Sequence, residues 1–221
     1  MKRVFKFCFR THFVQVSGLI FLIAAVSLIL NLLSPARSIG DGLYTGGKFA
    51  SFYSGFPLMC VLLQSILSIQ CAGVNMNVAI TMGARRRDYA VVIHIFLIIE
   101  TVISLLLIHG LYLLNEKLFI LSRFYTYFYS PENMPMLAML IIAAQTTGMG
   151  CMTIGSDKRV LGSMLMAVLT MALMTAFMFS MGVLTIELWG DLPAIIFGAL
   201  VLASLAGEIG YWRYALKATV K

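Results

Sequence analysis

Long apolar runs, each able to cross a bilayer, constrain this chain more than any other feature. A spanning helix needs about 20 mostly apolar residues. Six stretches of that kind lie at 12–33, 50–75, 89–112, 133–153, 160–183 and 193–212. No segment between them exceeds 20 residues, so none can fold as a soluble domain. Only 11% of the 221 residues are charged and 61% are hydrophobic. A soluble domain carries roughly 25% charged residues and needs them to cover its surface. The same numbers exclude disorder. The sequence therefore predicts an all-α integral membrane protein with six transmembrane helices in a single transmembrane domain. The first run, about 20 apolar residues after a basic start, is longer than the roughly 7–15 of a cleaved signal and reads as a retained anchor.

Charge sets the orientation. Lys2, Arg3, Lys6, Arg10, Arg85, Arg86, Arg87, Lys158, Arg159, Arg213, Lys217 and Lys221 share one side of the predicted map. Arg37, Lys48, Lys117 and Arg123 take the other. Twelve against four places both termini in the cytoplasm, and the net charge of +7 follows from that segregation, with no call for nucleic acid. The expected location is the cell (inner or cytoplasmic) membrane, as a multi-pass protein in contact with lipid. Cys8, Cys60, Cys71 and Cys151 form no CxxC pair and read as buried small hydrophobes. Asp191-Leu-Pro193 has a cap and a first-turn proline for span 6.

The sequence has no GxxxxGK[ST], HExxH or GxSxG, so no enzyme and no metal or cofactor of its own is expected. Polar residues inside the spans carry more information. Cys60, Gln64, Ser68, Cys71 and Asn75 recur every three or four residues along span 2 and share one helical face. Such a stripe must meet protein or water, as helix–helix glue or as the lining of a substrate pathway. Met164, Met171, Met174, Met178 and Met181 give span 5 a soft apolar seam, suited to packing or to adaptable ligand contact. Ala199, Ala203 and Gly207 permit close approach along span 6. Glu100 is the acid nearest a span's middle, where it must be neutral, paired or hydrated. Glu208 lies near the cytoplasmic end beside Arg213, and His94 and His109 read as helix-end residues.

The segment between spans 2 and 3 reads Met82-Gly83-Ala84-Arg85-Arg86-Arg87-Asp88-Tyr89. It serves as a charge anchor for topology. It also resembles the Gly-x-[SA]-Arg-[KR]-x-[FY] pattern of the membrane subunit of type-2 ABC exporters, with one extra basic residue. Tyr211-Trp212-Arg213-Tyr214, followed by Lys217 and Lys221, resembles that family's aromatic last helix and basic tail. The resemblance implies an ABC type-2 exporter-like permease. A coupling helix at about 76–88 would dock on a separate ATPase through Gly83, Arg85, Arg86, Arg87, Asp88 and Tyr89. Two ATPase copies would bind ATP and Mg, and a second permease copy or a sister permease would complete the pathway. Gln64, Ser68, Cys71, Asn75, Met171, Met174, Met178, Met181 and Glu100 would line it. The substrate class would be an amphipathic peptide, an antimicrobial or a lipid-like compound. Two other readings remain open: a stand-alone channel or ion-coupled carrier using Glu100, and a non-transporting regulatory subunit.

Overall fold

The computed structural model describes residues 2–33, 37–40, 43–45, 52–53, 55–118, 129–154 and 192–217. They are almost all helical. Helix α1 runs Lys2–Leu33, α2 Phe56–Thr81, α3 Arg86–Leu118, α4 Met134–Ile154 and α5 Leu192–Lys217. A short antiparallel ribbon pairs β1, Arg37–Gly40, with β2, Leu43–Thr45. Four of the helices, α1, α2, α3 and α5, are long and apolar enough to cross a membrane, which makes this a multi-pass membrane protein. The predicted span 5, 160–183, lies outside the described residues.

Local sequence accounts for the helix ends. Pro57 sits in the first turn of α2, where its missing N–H costs nothing. Ser130 caps the turn that leads into α4, its Oγ accepting from the Glu132 N–H at 3.3 Å with Pro131 beside it. At the other end of α2, Gly83 takes φ +83°. The Gly83 N–H donates to Ile80 O and the Ala84 N–H to Ala79 O, both at 2.9 Å. This is a Schellman closure, which a side chain at Gly83 would strain. Helix α3, at 33 residues, is about 50 Å long and so outreaches a hydrocarbon core of about 30 Å. Its first turn carries charge, Arg86–Asp88.

Packing defines two ends. At one, Lys2, Arg3 and Phe7 of α1 line one cleft with Met82, Gly83 and Arg85, and the Arg86 guanidinium lies 5.4 Å from the Tyr214 ring centre on α5. At the other, the Tyr53 hydroxyl donates to Leu111 O and the Tyr129 hydroxyl to Tyr53 O. Burial first, and then the neighbouring Tyr53 phenol, push the Tyr129 phenol above its ordinary range, so it stays a neutral donor. The start of α1, the α2–α3 turn and the end of α5 thus share one end, where the sequence puts its cations.

Helix α4 is central, packed on both α2 and α5. It runs parallel to α5, since Thr146 faces Ser204 and Gly150 faces Gly207. A Cβ on Gly207 would come within 2.4 Å of Thr146 O. Of the small-residue ladder expected on span 6, Gly207 is where the backbones meet. Gly207→Ala should therefore destabilise the detergent-solubilised protein by roughly 1–3 kcal/mol, the usual cost of overpacking. Gly198→Ala, whose Cβ would meet nothing within 4 Å, should leave thermal unfolding unchanged.

Candidate functional site

The polar face of α2 points inward, against α1, α3 and α4. Cys60, Gln64, Ser68 and Cys71 are all buried. The Gln64 Nε2 donates to Ser104 Oγ at 2.7 Å and to Glu100 O at 3.3 Å. Gln145 of α4 donates to Gln64 Oε1, and also to Leu97 O at 3.3 Å. Thr101 Oγ1 approaches Gln145 Oε1 at 3.3 Å while donating to Leu97 O at 2.9 Å. Two amides and two hydroxyls thus link α2, α3 and α4 in the middle of the bundle. In lipid such groups find partners in protein or remain unsatisfied, and here each amide finds them. Ser68 donates to Ser65 O of its own helix at 2.7 Å.

One turn further along, Cys71 Sγ lies 2.9 Å from His12 Nδ1 of α1. The other ring nitrogen of His12, Nε2, lies 3.3 Å from Glu100 Oε1. His12 is 2% exposed and Glu100 1%. Both α1 and α2 are locally widened here. A π turn spans Phe9–Phe13 around His12, and a second spans Cys71–Asn75. π turns concentrate at functional sites because they re-aim side chains at the cost of regular helix bonding. The Met76 N–H reaches back to Cys71 O, and the Tyr89 hydroxyl adds a second bond to that carbonyl at 3.0 Å. Next to His12 in the chain, Phe9 and Phe13 of α1 pack their rings on each other and on Phe96 of α3.

The expected pathway residues therefore separate. Gln64, Cys71 and Glu100 meet in this cluster, Ser68 turns to its own helix, and Asn75 is half-buried, 3.9 Å from Cys71 Sγ. Met171, Met174, Met178 and Met181 lie outside the described residues. His12, Thr101, Ser104 and Gln145 belong to the site and were missed by sequence reasoning. Gln145, an amide in an apolar span, carried the signal that could have found it.

The segment expected as a coupling helix at 76–88 forms the corner between α2 and α3. Met76–Thr81 continues α2, and Arg86 already opens α3. Arg85 and Arg87 are exposed, while Arg86 and Asp88 are half-buried. Tyr89, expected on the docking surface, is fully buried, because its hydroxyl satisfies the carbonyl at the π turn. The corner borders a cleft of about 420 Å³ lined by Lys2, Arg3, Phe7, Met82, Arg85 and Asp88, among others. His94 is not an isolated helix-end residue: its Nε2 lies 3.0 Å from Glu208, and its ring stacks on Trp212.

The amide links can be measured directly. Gln64→Leu should destabilise the protein by about 0.6–1.7 kcal/mol, the range of interhelical hydrogen bonds in membranes. Gln145→Leu should do the same. The double variant should lose less than the sum of the two, since each single change orphans the other amide. A double-mutant cycle on unfolding free energy in mixed micelles reads that coupling.

The chain was compared with family models, with curated proteins and with solved structures, and no match was found in any of the three.

Proposed function

We propose that this chain is the permease subunit of an ATP-driven exporter of the type-2 ABC kind. It has six spans, with both termini on the cytoplasmic side of the cell membrane. A separate ATPase, in two copies, binds ATP and Mg. A second permease copy or a sister permease completes the pathway for an amphipathic peptide, an antimicrobial or a lipid-like substrate. The observation that carries this reading is the α2–α3 corner. A rigid Schellman turn at Gly83 projects Arg85 and Arg87 outward beside a basic cleft, at the end of the bundle shared by the start of α1 and the end of α5.

A coupling surface needs this combination of features. Force between two polypeptides passes only through a stiff element, and the corner is closed by two backbone hydrogen bonds. Guanidinium groups form bidentate pairs with carboxylates that an ammonium cannot reproduce. Arg86 is set apart, since its guanidinium already lies over Tyr214 and braces α3 against α5. The end of α4 and the start of α5 lie at opposite ends of the bundle, as six spans require.

Replacing both exposed arginines separates docking from charge anchoring. Arg85→Ala with Arg87→Ala should strip co-purifying ATP hydrolysis from the tagged protein by tenfold or more, since truncating one partner of a desolvated ion pair costs about 2–5 kcal/mol. The double lysine variant should keep its topology and lose part of that activity. If the lysine variant retains all of it, the arginines act only through their charge. If no ATPase accompanies the wild-type chain from its own membranes, the exporter reading fails.

A further inference from the structure

The His12–Glu100 pair differs from the amide links beside it. Those links satisfy their members. Among the described residues, both Glu100 carboxyl oxygens and His12 Nε2 lack a hydrogen bond of proper geometry, although Nε2 and Oε1 stand 3.3 Å apart. A permanent strut in a membrane core would be expected to close that contact, because an unsatisfied buried polar group is costly. The groups facing the pair carry no compensating charge. From α2 come the Cys71 thiol and the uncharged Asn75 amide, with Cys8 of α1, Tyr89 of α3 and Tyr211 of α5 around that thiol, and the nearby polar group of α4 is the uncharged Gln145, bonded to Leu97 O one turn before Glu100.

The pair also holds α1 in place. Among the described residues, His12 supplies the polar side-chain ties between α1 and the other helices, to Cys71 and to Glu100. Thr11 bonds within its own helix, and the buried Ser17, Ser27 and Asn31 side chains have no hydrogen-bond partner among the described residues. The other contacts of α1 at this level are apolar and non-directional, Val4 and Cys8 in the cluster with Met76 and Ile93, and the rings of Phe5, Phe9 and Phe13 against Phe96.

We propose that His12 and Glu100, with Cys71, form a proton-binding site in the membrane core that latches α1 to α2 and α3, and that uptake of one proton from water releases the latch. With one shared proton the pair has no net charge in either of two forms. In the first, the Glu100 O–H donates to His12 Nε2 while Nδ1–H points at Cys71 Sγ. In the second, the Glu100 O–H bond has broken and the Nε2–H bond has formed, which leaves a carboxylate facing an imidazolium. A further proton, delivered by hydronium, adds to that carboxylate and leaves water behind. The site then holds a neutral carboxyl and an imidazolium, net +1, with no counter-charge facing it among the described residues. That charge is costly in lipid and is relieved by water entering as α1 moves away. The site does not depend on an ATPase, so it stands or falls separately from the exporter reading.

The test uses the full chain in lipid nanodiscs, with spin labels attached through p-acetylphenylalanine at Val14 and Ile95, both exposed. From about pH 8 to about pH 5 the population with the latched α1–α3 distance should fall by roughly half or more. Glu100→Gln and His12→Gln should each abolish that pH response. A pH-independent distance in the wild type, or an undiminished response in both variants, would overturn the proposal. Should either variant fail to fold, infrared difference spectra of wild-type protein labelled with ¹³C-carboxyl glutamate decide the matter. Acidification over the same range must change the labelled carboxyl bands, by protonation of the carboxylate or by loss of the carboxyl's bond to His12 and its hydration, and their constancy overturns the proposal.

Discussion

Inside a bilayer no solvent rescues a polar group, and that constraint organises this structure. Gln64 and Gln145 could not sit in apolar helices without each other and the carbonyls of α3. Their linkage sets the height at which α2, α3 and α4 cross, and the apolar packing above and below follows from it. One cluster, with Phe56, Ile108 and Leu137, lies toward the tyrosine-clamped end. A second, with Met76, Ile93 and Met149, lies toward the cationic end. Neither cluster alone fixes helix register, because hydrophobic contact is non-directional. Hydrogen bonds between amides at defined heights supply that direction.

The two halves of the polar core differ in kind. The amide half is satisfied and uncharged, and it holds three helices rigidly. The ionisable half joins α1, is imperfectly bonded and lies at two π turns. A satisfied network beside an under-satisfied ionisable pair is the arrangement expected when one element must move against a fixed frame. Helix α5 belongs to the frame, held to α4 by the close approach at Gly207 and to α3 through Glu208–His94 and Arg86–Tyr214.

Much of the frame was legible in the sequence. The apolar runs located α1, α2, α3 and α5, and Gly83 marked the turn it makes. The polar stripe on α2 was read on the correct face as far as Cys71. Beyond it the i→i+5 bonding of the π turn at Cys71–Asn75 shifts the helical phase, and Asn75, half-buried, stays at the edge of the cluster with its Nδ2 donating to Cys71 Sγ at 3.9 Å. His12 was missed because it was counted at a helix end. The helix in fact begins at Lys2, about 15 Å earlier, which places the imidazole well inside. Of the segment 76–88, the first half extends α2 and Tyr89 just beyond it serves the interior, which no local pattern distinguishes from an exposed aromatic. Intramembrane pairing between Glu100 and a distant histidine has no periodic signature, so no single-sequence pattern could reveal it.

Helices α1 and α3 meet at the His12–Glu100 pair, with 3.3 Å between Nε2 and Oε1. Solid-state NMR in lipid bilayers can test it, by dipolar transfer between a ¹⁵N-labelled His12 ring and the ¹³C-labelled Glu100 carboxyl. Rapid build-up of a cross-peak between the two at neutral pH, lost in Glu100→Gln, is the predicted result. No transfer in the intact protein, with the amide contact between Gln64 and Gln145 still visible, would contradict the placement of α1 and the polar core built around it.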